Sequence, residues 1–118
     1  MEVVILKVVF YGDKERKLLL EKELKRITEI IKGLDIKKAV LFGSCVKGDI
    51  GKNSDIDLLI IKDTEKRFLD RIDEIIRIID PKVAVDILVY TPNEIEELLK
   101  VSSFVRKILR EGRVIYES

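Results

Sequence analysis

The chain has 118 residues, and its 23 lysines and arginines nearly balance its 22 acidic residues, which leaves a net charge of +1. This balance argues against a long nucleic acid as the primary ligand, because domains that bind one are usually strongly basic. The absence of histidine and the single cysteine exclude histidine-based catalysis, histidine metal ligands and an internal disulfide. The hydrophobic residues, 47% of the chain, suffice for a core, so we expect one domain over residues 1–118.

Residues 3–11 are dense in β-branched and aromatic residues and are predicted to form a strand. Glu2 and Lys7 interrupt this apolar segment, which is too short to span a bilayer and lacks a small-residue cleavage site. We therefore expect a cytoplasmic protein that is not associated with a membrane.

Two amphipathic helices are predicted from apolar residues that recur at helical spacing, over residues 20–31 and 68–79. Asp13 is a predicted N-cap of the first helix and Gly33 its predicted stop. The charged residues of that helix are interpreted as a solvated face. The second helix is expected to end before Pro81.

Three further strands are predicted in the middle of the chain, over residues 38–42, 55–61 and 83–90. The segment 55–61 becomes apolar on both faces after its acidic start, which predicts a central strand with elements packed on each side. Because helices alternate with strands, we expect a sheet with helices packed on it.

The C-terminal part of the chain predicts two more helices and a strand. Residues 91–94 have the sequence of a capping box, with a proline at the first helical position. An apolar stripe at residues 104–109 predicts a last helix, stopped by Gly112 and followed by a strand over 113–117. The stripe and residues 3–11 have two open interpretations, packing within the domain or against a partner, since bare apolar edge strands are usually covered.

Three aspartates are candidates for catalysis. Asp55 and Asp57 are two positions apart in a predicted strand, so their side chains would point to the same face. Asp86 interrupts an apolar strand, where a buried carboxylate is costly unless it is paired or bound to metal. Since neighbouring strands lie about 4.8 Å apart, the three groups could meet and share hard divalent cations such as Mg²⁺. Taken alone, Asp86 is explained equally well as a buried salt-bridge partner.

A glycine-containing loop follows the predicted strand at residues 38–42 and begins with Gly43 and Ser44. Its backbone N–H groups and the Ser44 hydroxyl could cradle phosphate oxygens. Lys47 could help to neutralise a triphosphate, as could Lys52, or both could be solvated loop charges. Cys45 is interpreted as a small loop residue rather than a nucleophile, because no histidine or second cysteine is present to activate it.

The Gly-Ser at residues 43–44, ten residues, and then the Asp-Ile-Asp at 55–57 resemble the signature of the DNA polymerase beta nucleotidyltransferase superfamily. The chain length and the ten-residue gap resemble its minimal nucleotidyltransferase subgroup, and the resemblance extends over about residues 20–117. It implies the nucleotidyltransferase fold, an α+β fold with α/β-type alternation in which helices flank a central mixed β-sheet.

The resemblance also implies an enzyme that uses Mg²⁺, with two ions expected, and a nucleoside triphosphate, with ATP expected first. Such an enzyme moves a nucleoside monophosphate to a hydroxyl and releases pyrophosphate. Carried over by position, Asp55, Asp57 and Asp86 would be the catalytic and metal-binding carboxylates.

The same resemblance assigns the triphosphate contacts to Gly43 and Ser44, and Lys47 would keep positive charge in the loop. The chain departs from the family pattern at two places. Cys45 stands where members often carry arginine, and residues 3–11 are an addition, since small members usually begin near the first helix.

Many minimal members are antitoxins that act beside a HEPN-domain ribonuclease, and some adenylylate a tyrosine of that toxin. The resemblance therefore implies AMP transfer to a hydroxyl of a HEPN-domain partner within a toxin–antitoxin pair. Two alternatives are a non-catalytic antitoxin that occludes its partner and an adenylyltransferase that acts on a small molecule. The last ranks lowest, because 118 residues leave little room for an acceptor pocket. Homodimer formation is left open.

Overall fold

A computed structural model describes residues 13–43 and 54–118. Within these two ranges the elements are, in chain order, α1 (Lys14–Lys32), β1 (Lys38–Phe42), β2 (Ile56–Ile61), α2 (Phe68–Ile79), β3 (Val85–Tyr90), α3 (Pro92–Val101), α4 (Ser103–Glu111) and β4 (Arg113–Glu117). The strand predicted over residues 3–11 lies outside the described residues. The other predicted elements are confirmed, although β2 and β3 begin one and two residues later than predicted.

The four strands form one sheet with the order β3-β2-β1-β4. The strand β1 is antiparallel to both β2 and β4, whereas β2 and β3 are parallel, so the sheet is mixed. Residues 56–60 of the inner strand β2 are all buried, as their apolar character on both faces predicted. The α+β fold with a central mixed sheet is therefore confirmed.

Helices cover both faces of the sheet, which we call the α1/α2 face and the α3/α4 face after the helices packed on each. Leu58 of β2 is buried on the α1/α2 face and Leu59 on the α3/α4 face, because successive side chains of a strand point to opposite sides. No helix within residues 13–43 and 54–118 combines the length and the apolar character needed to cross a membrane.

A buried arginine ties α2 to β3 and α3. Arg71 donates to the Val89 carbonyl at 3.1 Å and to the two Glu94 carboxylate oxygens at 2.7 and 3.2 Å. Glu94 also closes the predicted capping box of α3, since its carboxylate accepts from the Thr91 backbone N–H at 2.8 Å. The hydrogen bonds from Arg71 are the main cause that holds the pKa of Glu94 below its ordinary value.

A second charged cluster joins α1 to the connection between α2 and β3. Glu23 of α1 accepts from Arg26 Nε at 2.7 Å and from the Lys82 backbone N–H at 2.6 Å, and Arg26 donates to the Ile79 carbonyl at 2.9 Å. The Arg26 hydrogen bond is the main cause that lowers the pKa of Glu23. Glu23 is buried, so the prediction of a wholly solvated charged face on α1 is wrong at this residue.

Candidate active site

Three of the predicted site residues lie at one end of the strands of the sheet. Gly43 follows the last residue of β1, and Asp57 and Asp86 are the second residues of β2 and β3. Since β1 is antiparallel to β2 and β2 is parallel to β3, the end of β1 and the starts of the other two strands meet at this edge. The site is therefore built where three neighbouring strands end or begin.

Asp57 and Asp86 are brought together as the sequence predicted. They are register partners across the parallel pair of β2 and β3, so their Cα atoms lie about 5 Å apart. The side chains of both aspartates point to the α3/α4 face of the sheet. Leu59 and Leu88, two positions further along the two strands, pack in the core on that face. Phe42 is the register partner of Asp57 on its other side, so Phe42, Asp57 and Asp86 form one row on the α3/α4 face.

The structure buries Asp57 and exposes Asp86, of which only Asp86 was expected to be buried. Asp57 is 2% exposed and Asp86 is exposed to solvent. The prediction that Asp86 is buried is wrong, because β3 is an edge strand and Asp86 stands near its start, where water reaches it. The buried acid is Asp57, whose Oδ1 accepts a hydrogen bond from the Ser54 hydroxyl.

Gly43 lies directly against the Asp57 carboxylate. A Cβ at residue 43 would overlap Asp57 Oδ2 and lie 3.2 Å from its Cγ. The residue also has φ = +77°, a left-handed conformation that side-chain-bearing residues adopt at a cost. Both facts require glycine here, and the close approach of its backbone to Asp57 agrees with the interpretation of this turn as a cradle.

The remaining predicted loop contacts lie outside the described residues. They are Ser44, Lys47 and Lys52, and their assignments stay predictions, as does the interpretation of Cys45 as a small loop residue.

Asp55 occupies a bend one residue before β2 rather than a position within the strand. Its backbone N–H donates to the Ala84 carbonyl at 2.8 Å, and its Oδ2 accepts from the Ala84 N–H at 3.2 Å. Its Oδ1 accepts from Arg16 Nη2 at 2.5 Å. Because Asp55 precedes the regular strand, strand alternation does not determine its direction. In the part of the chain that the structure describes, no three acidic side chains converge closely enough to hold one ion.

The sequence interpretation did not single out two residues that contact these aspartates. Ser54 could have been noticed as a hydroxyl next to the acidic motif. Arg16 carries no local signal, since it is one of many charged residues on α1 and pairs with a residue 39 positions away.

The donor set fits a hard divalent cation by its chemistry. Carboxylate oxygens are the ligands that Mg²⁺ prefers, and Asp57 and Asp86 offer them side by side on one face of the sheet. The absence of a side chain at Gly43 leaves room for Asp57 Oδ2, which a Cβ at residue 43 would overlap. Asp55 could add a third carboxylate if Oδ1 exchanged its partner Arg16 for a cation.

The nucleotidyltransferase domain family matches residues 20–116, and the chain belongs to this family. It is 36% identical over 103 residues to the "Putative protein adenylyltransferase MJ0604" of Methanocaldococcus jannaschii, covering 80% of this chain and 98% of that relative. Its fold is similar to the crystal structure of a "putative nucleotidyltransferase" from Sulfolobus solfataricus, with a TM-score of 0.58, 20% identity and 90% coverage of each chain. The resemblance to minimal nucleotidyltransferases is confirmed, and the protein is a nucleotidyltransferase enzyme.

Proposed function

We propose that this protein is a Mg²⁺-dependent adenylyltransferase that moves AMP from ATP to a hydroxyl of a partner protein. The carrying observation is the pair of Asp57 and Asp86 on neighbouring parallel strands, with the Asp57 carboxylate packed against Gly43. Family membership supports the reaction class, and the relative named as a protein adenylyltransferase supports a protein acceptor.

The three aspartates would divide the chemical work between them. Asp57 and Asp86, with Asp55, would hold Mg²⁺, which when bound supplies positive charge to neutralise the triphosphate. Ser54 fixes the orientation of the Asp57 carboxylate through the hydrogen bond to Oδ1. Gly43 lets the backbone come close to the site, where its turn can contact phosphate oxygens.

The exposed Asp86 is the candidate base for the acceptor hydroxyl. In the transfer, the hydroxyl oxygen forms a bond to the α-phosphorus and loses its proton to Asp86. The bond between the α-phosphorus and the bridging oxygen breaks, and pyrophosphate leaves. A base that solvent reaches can also be reached by an acceptor that another protein presents. This favours a partner's side chain over a molecule enclosed within this domain.

We further propose that the partner is a HEPN-domain protein and that this protein is its antitoxin, acting in the cytoplasm, where ATP is at hand. The support is the resemblance to the minimal subgroup, together with the relative named as a protein adenylyltransferase. A partner that brings its own hydroxyl removes the need for an acceptor pocket in this chain.

The test is label transfer from [α-³²P]ATP with Mg²⁺ to a purified HEPN-domain protein. We expect labelling by the wild type, none from [γ-³²P]ATP, and a loss of at least about a hundredfold for Asp57→Asn and Asp86→Asn. Asp63→Asn is a matched control, since Asp63 is exposed and pairs with Lys37 two residues after β2 ends, away from the Asp57 end of that strand. Undiminished labelling by both site variants would refute the proposal. Neutralisation of the partner by Asp57→Asn without labelling would instead support occlusion.

A further inference from the structure

The ion pair between Arg16 and Asp55 joins the first turn of α1 to the edge of the sheet that carries the site. Arg16 Nη2 lies 2.5 Å from Asp55 Oδ1, and the two side chains are 49% and 23% exposed. The other oxygen, Oδ2, accepts from the Ala84 N–H. Both oxygens of Asp55 are therefore engaged by the protein itself.

The backbone of Arg16 is held firmly in place. Its N–H donates to the Asp13 N-cap carboxylate at 2.8 Å, which fixes the first turn of α1. One turn later, Leu20 is buried in the α1/α2 core, so the helix start has a fixed position relative to the sheet. The guanidinium therefore reaches Asp55 from a helix start whose position is fixed by the N-cap and by the burial of Leu20.

A positive charge at this point has opposite effects on two states of the site. When the site holds no cation, the Arg16 guanidinium pairs with Asp55 and offsets the negative charge of that carboxylate. When a divalent cation approaches Asp55, it meets the positive guanidinium and competes with it for Oδ1. The same contact that orders the carboxylate therefore opposes cation binding.

We propose that Arg16 is a positioning residue that sets the divalent-cation affinity of the site. Its guanidinium holds the Asp55 carboxylate until a cation displaces the guanidinium from Oδ1. This rests on the proposed function, because it takes Asp55 as a cation ligand. The first turn of α1 would thus tune cation binding at the site, in addition to its packing on the sheet.

The expected effect follows from the strength of such pairs. A partly exposed ion pair contributes less free energy than a tenfold change in affinity requires. Removing the Arg16 guanidinium, which competes with the cation for Asp55, should therefore tighten cation binding about two- to fivefold. The direction is informative, because a variant that merely damaged the fold would weaken binding. Screening by salt should reduce the difference, because the pair is partly exposed.

The experiment titrates Mn²⁺ alone into the full chain at low ionic strength and follows free Mn²⁺ by electron paramagnetic resonance. We expect Arg16→Ala, and Arg16→Gln as a variant that keeps more of the side chain, to bind Mn²⁺ about two- to fivefold more tightly than wild type. Lys17→Ala is the control, because it removes the same charge from the same turn and no carboxylate of the described residues forms an ion pair with Lys17. In an Asp55→Asn background, Arg16→Ala should change nothing.

The outcomes separate the two proposals. Equal or weaker Mn²⁺ binding by Arg16→Ala and Arg16→Gln, relative to Lys17→Ala, overturns the role of Arg16. If Asp57→Asn and Asp86→Asn still abolish binding in that case, the cation site itself stands. Wild-type Mn²⁺ binding that neither aspartate variant changes overturns the proposed cation site and the role of Arg16 with it.

Discussion

Replacing Gly43 by alanine tests the contact on which the site is built. Its φ of +77° costs a side-chain-bearing residue about 1–2 kcal/mol. The new Cβ would overlap Asp57 Oδ2, and because Asp57 is 2% exposed, relief of that overlap requires movement of a packed side chain. Overpacking of this kind costs about 1–3 kcal/mol. Gly43→Ala should therefore lower the free energy of unfolding by about 2–5 kcal/mol and displace the Asp57 carboxylate.

Urea unfolding followed by circular dichroism measures the change in unfolding free energy. Gly33→Ala is the matched control, because Gly33 has φ = −89° and a Cβ there would lie 3.6 Å from its nearest neighbour, the Ile30 carbonyl oxygen. This control should be neutral or stabilising by up to about 1 kcal/mol. In an Asp57→Ala background the overlap disappears, and the cost of Gly43→Ala should fall to about 1–2 kcal/mol, the backbone part alone. A Gly43→Ala protein as stable as the Gly33→Ala protein would refute the reasoning.

Three further predictions concern stability. Arg71→Ala leaves the Val89 carbonyl without this donor and should cost about 1–3 kcal/mol in urea unfolding, and a protein as stable as wild type would contradict this. The lowered pKa of Glu23 means that its ionised carboxylate stabilises the folded protein at neutral pH. This stabilisation disappears as the pH falls from about 4.5, the ordinary pKa of a glutamate, through the lower pKa that Glu23 has in the folded protein. The acid side of the stability–pH curve should therefore be shallower for Glu23→Gln, and an unchanged curve would refute this. Asp86→Asn should unfold within about 0.5 kcal/mol of wild type, because Asp86 is exposed, and a larger loss would show a structural role.

Strand and helix periodicity predicted most of the fold. Alternating helices and strands predicted a sheet covered by helices, and the acidic residues within two predicted strands predicted that Asp57 and Asp86 meet. These predictions succeed because they depend on local hydrophobic pattern and on the regular spacing of strands.

The sequence could not predict that β3 is the edge strand of the sheet, and for that reason it predicted a buried Asp86, which the structure exposes. It also could not predict that Asp55 sits in a bend before β2, where alternation no longer sets its direction. The contact of Asp55 with Arg16 spans 39 positions and depends on how α1 is placed on the sheet. Contacts of this kind follow from tertiary packing, and local patterns do not encode them.

The central claim is that the carboxylates at the start of β2 and β3 transfer AMP to a partner protein. Intact-mass spectrometry of the proposed HEPN-domain partner, after incubation with ATP, Mg²⁺ and this protein, tests it most directly. We predict a mass increase of one AMP with the wild-type protein and none with Asp57→Asn, which should keep the wild-type fold by circular dichroism. An unmodified partner with the wild-type protein, or an equal mass increase with Asp57→Asn, would contradict the claim.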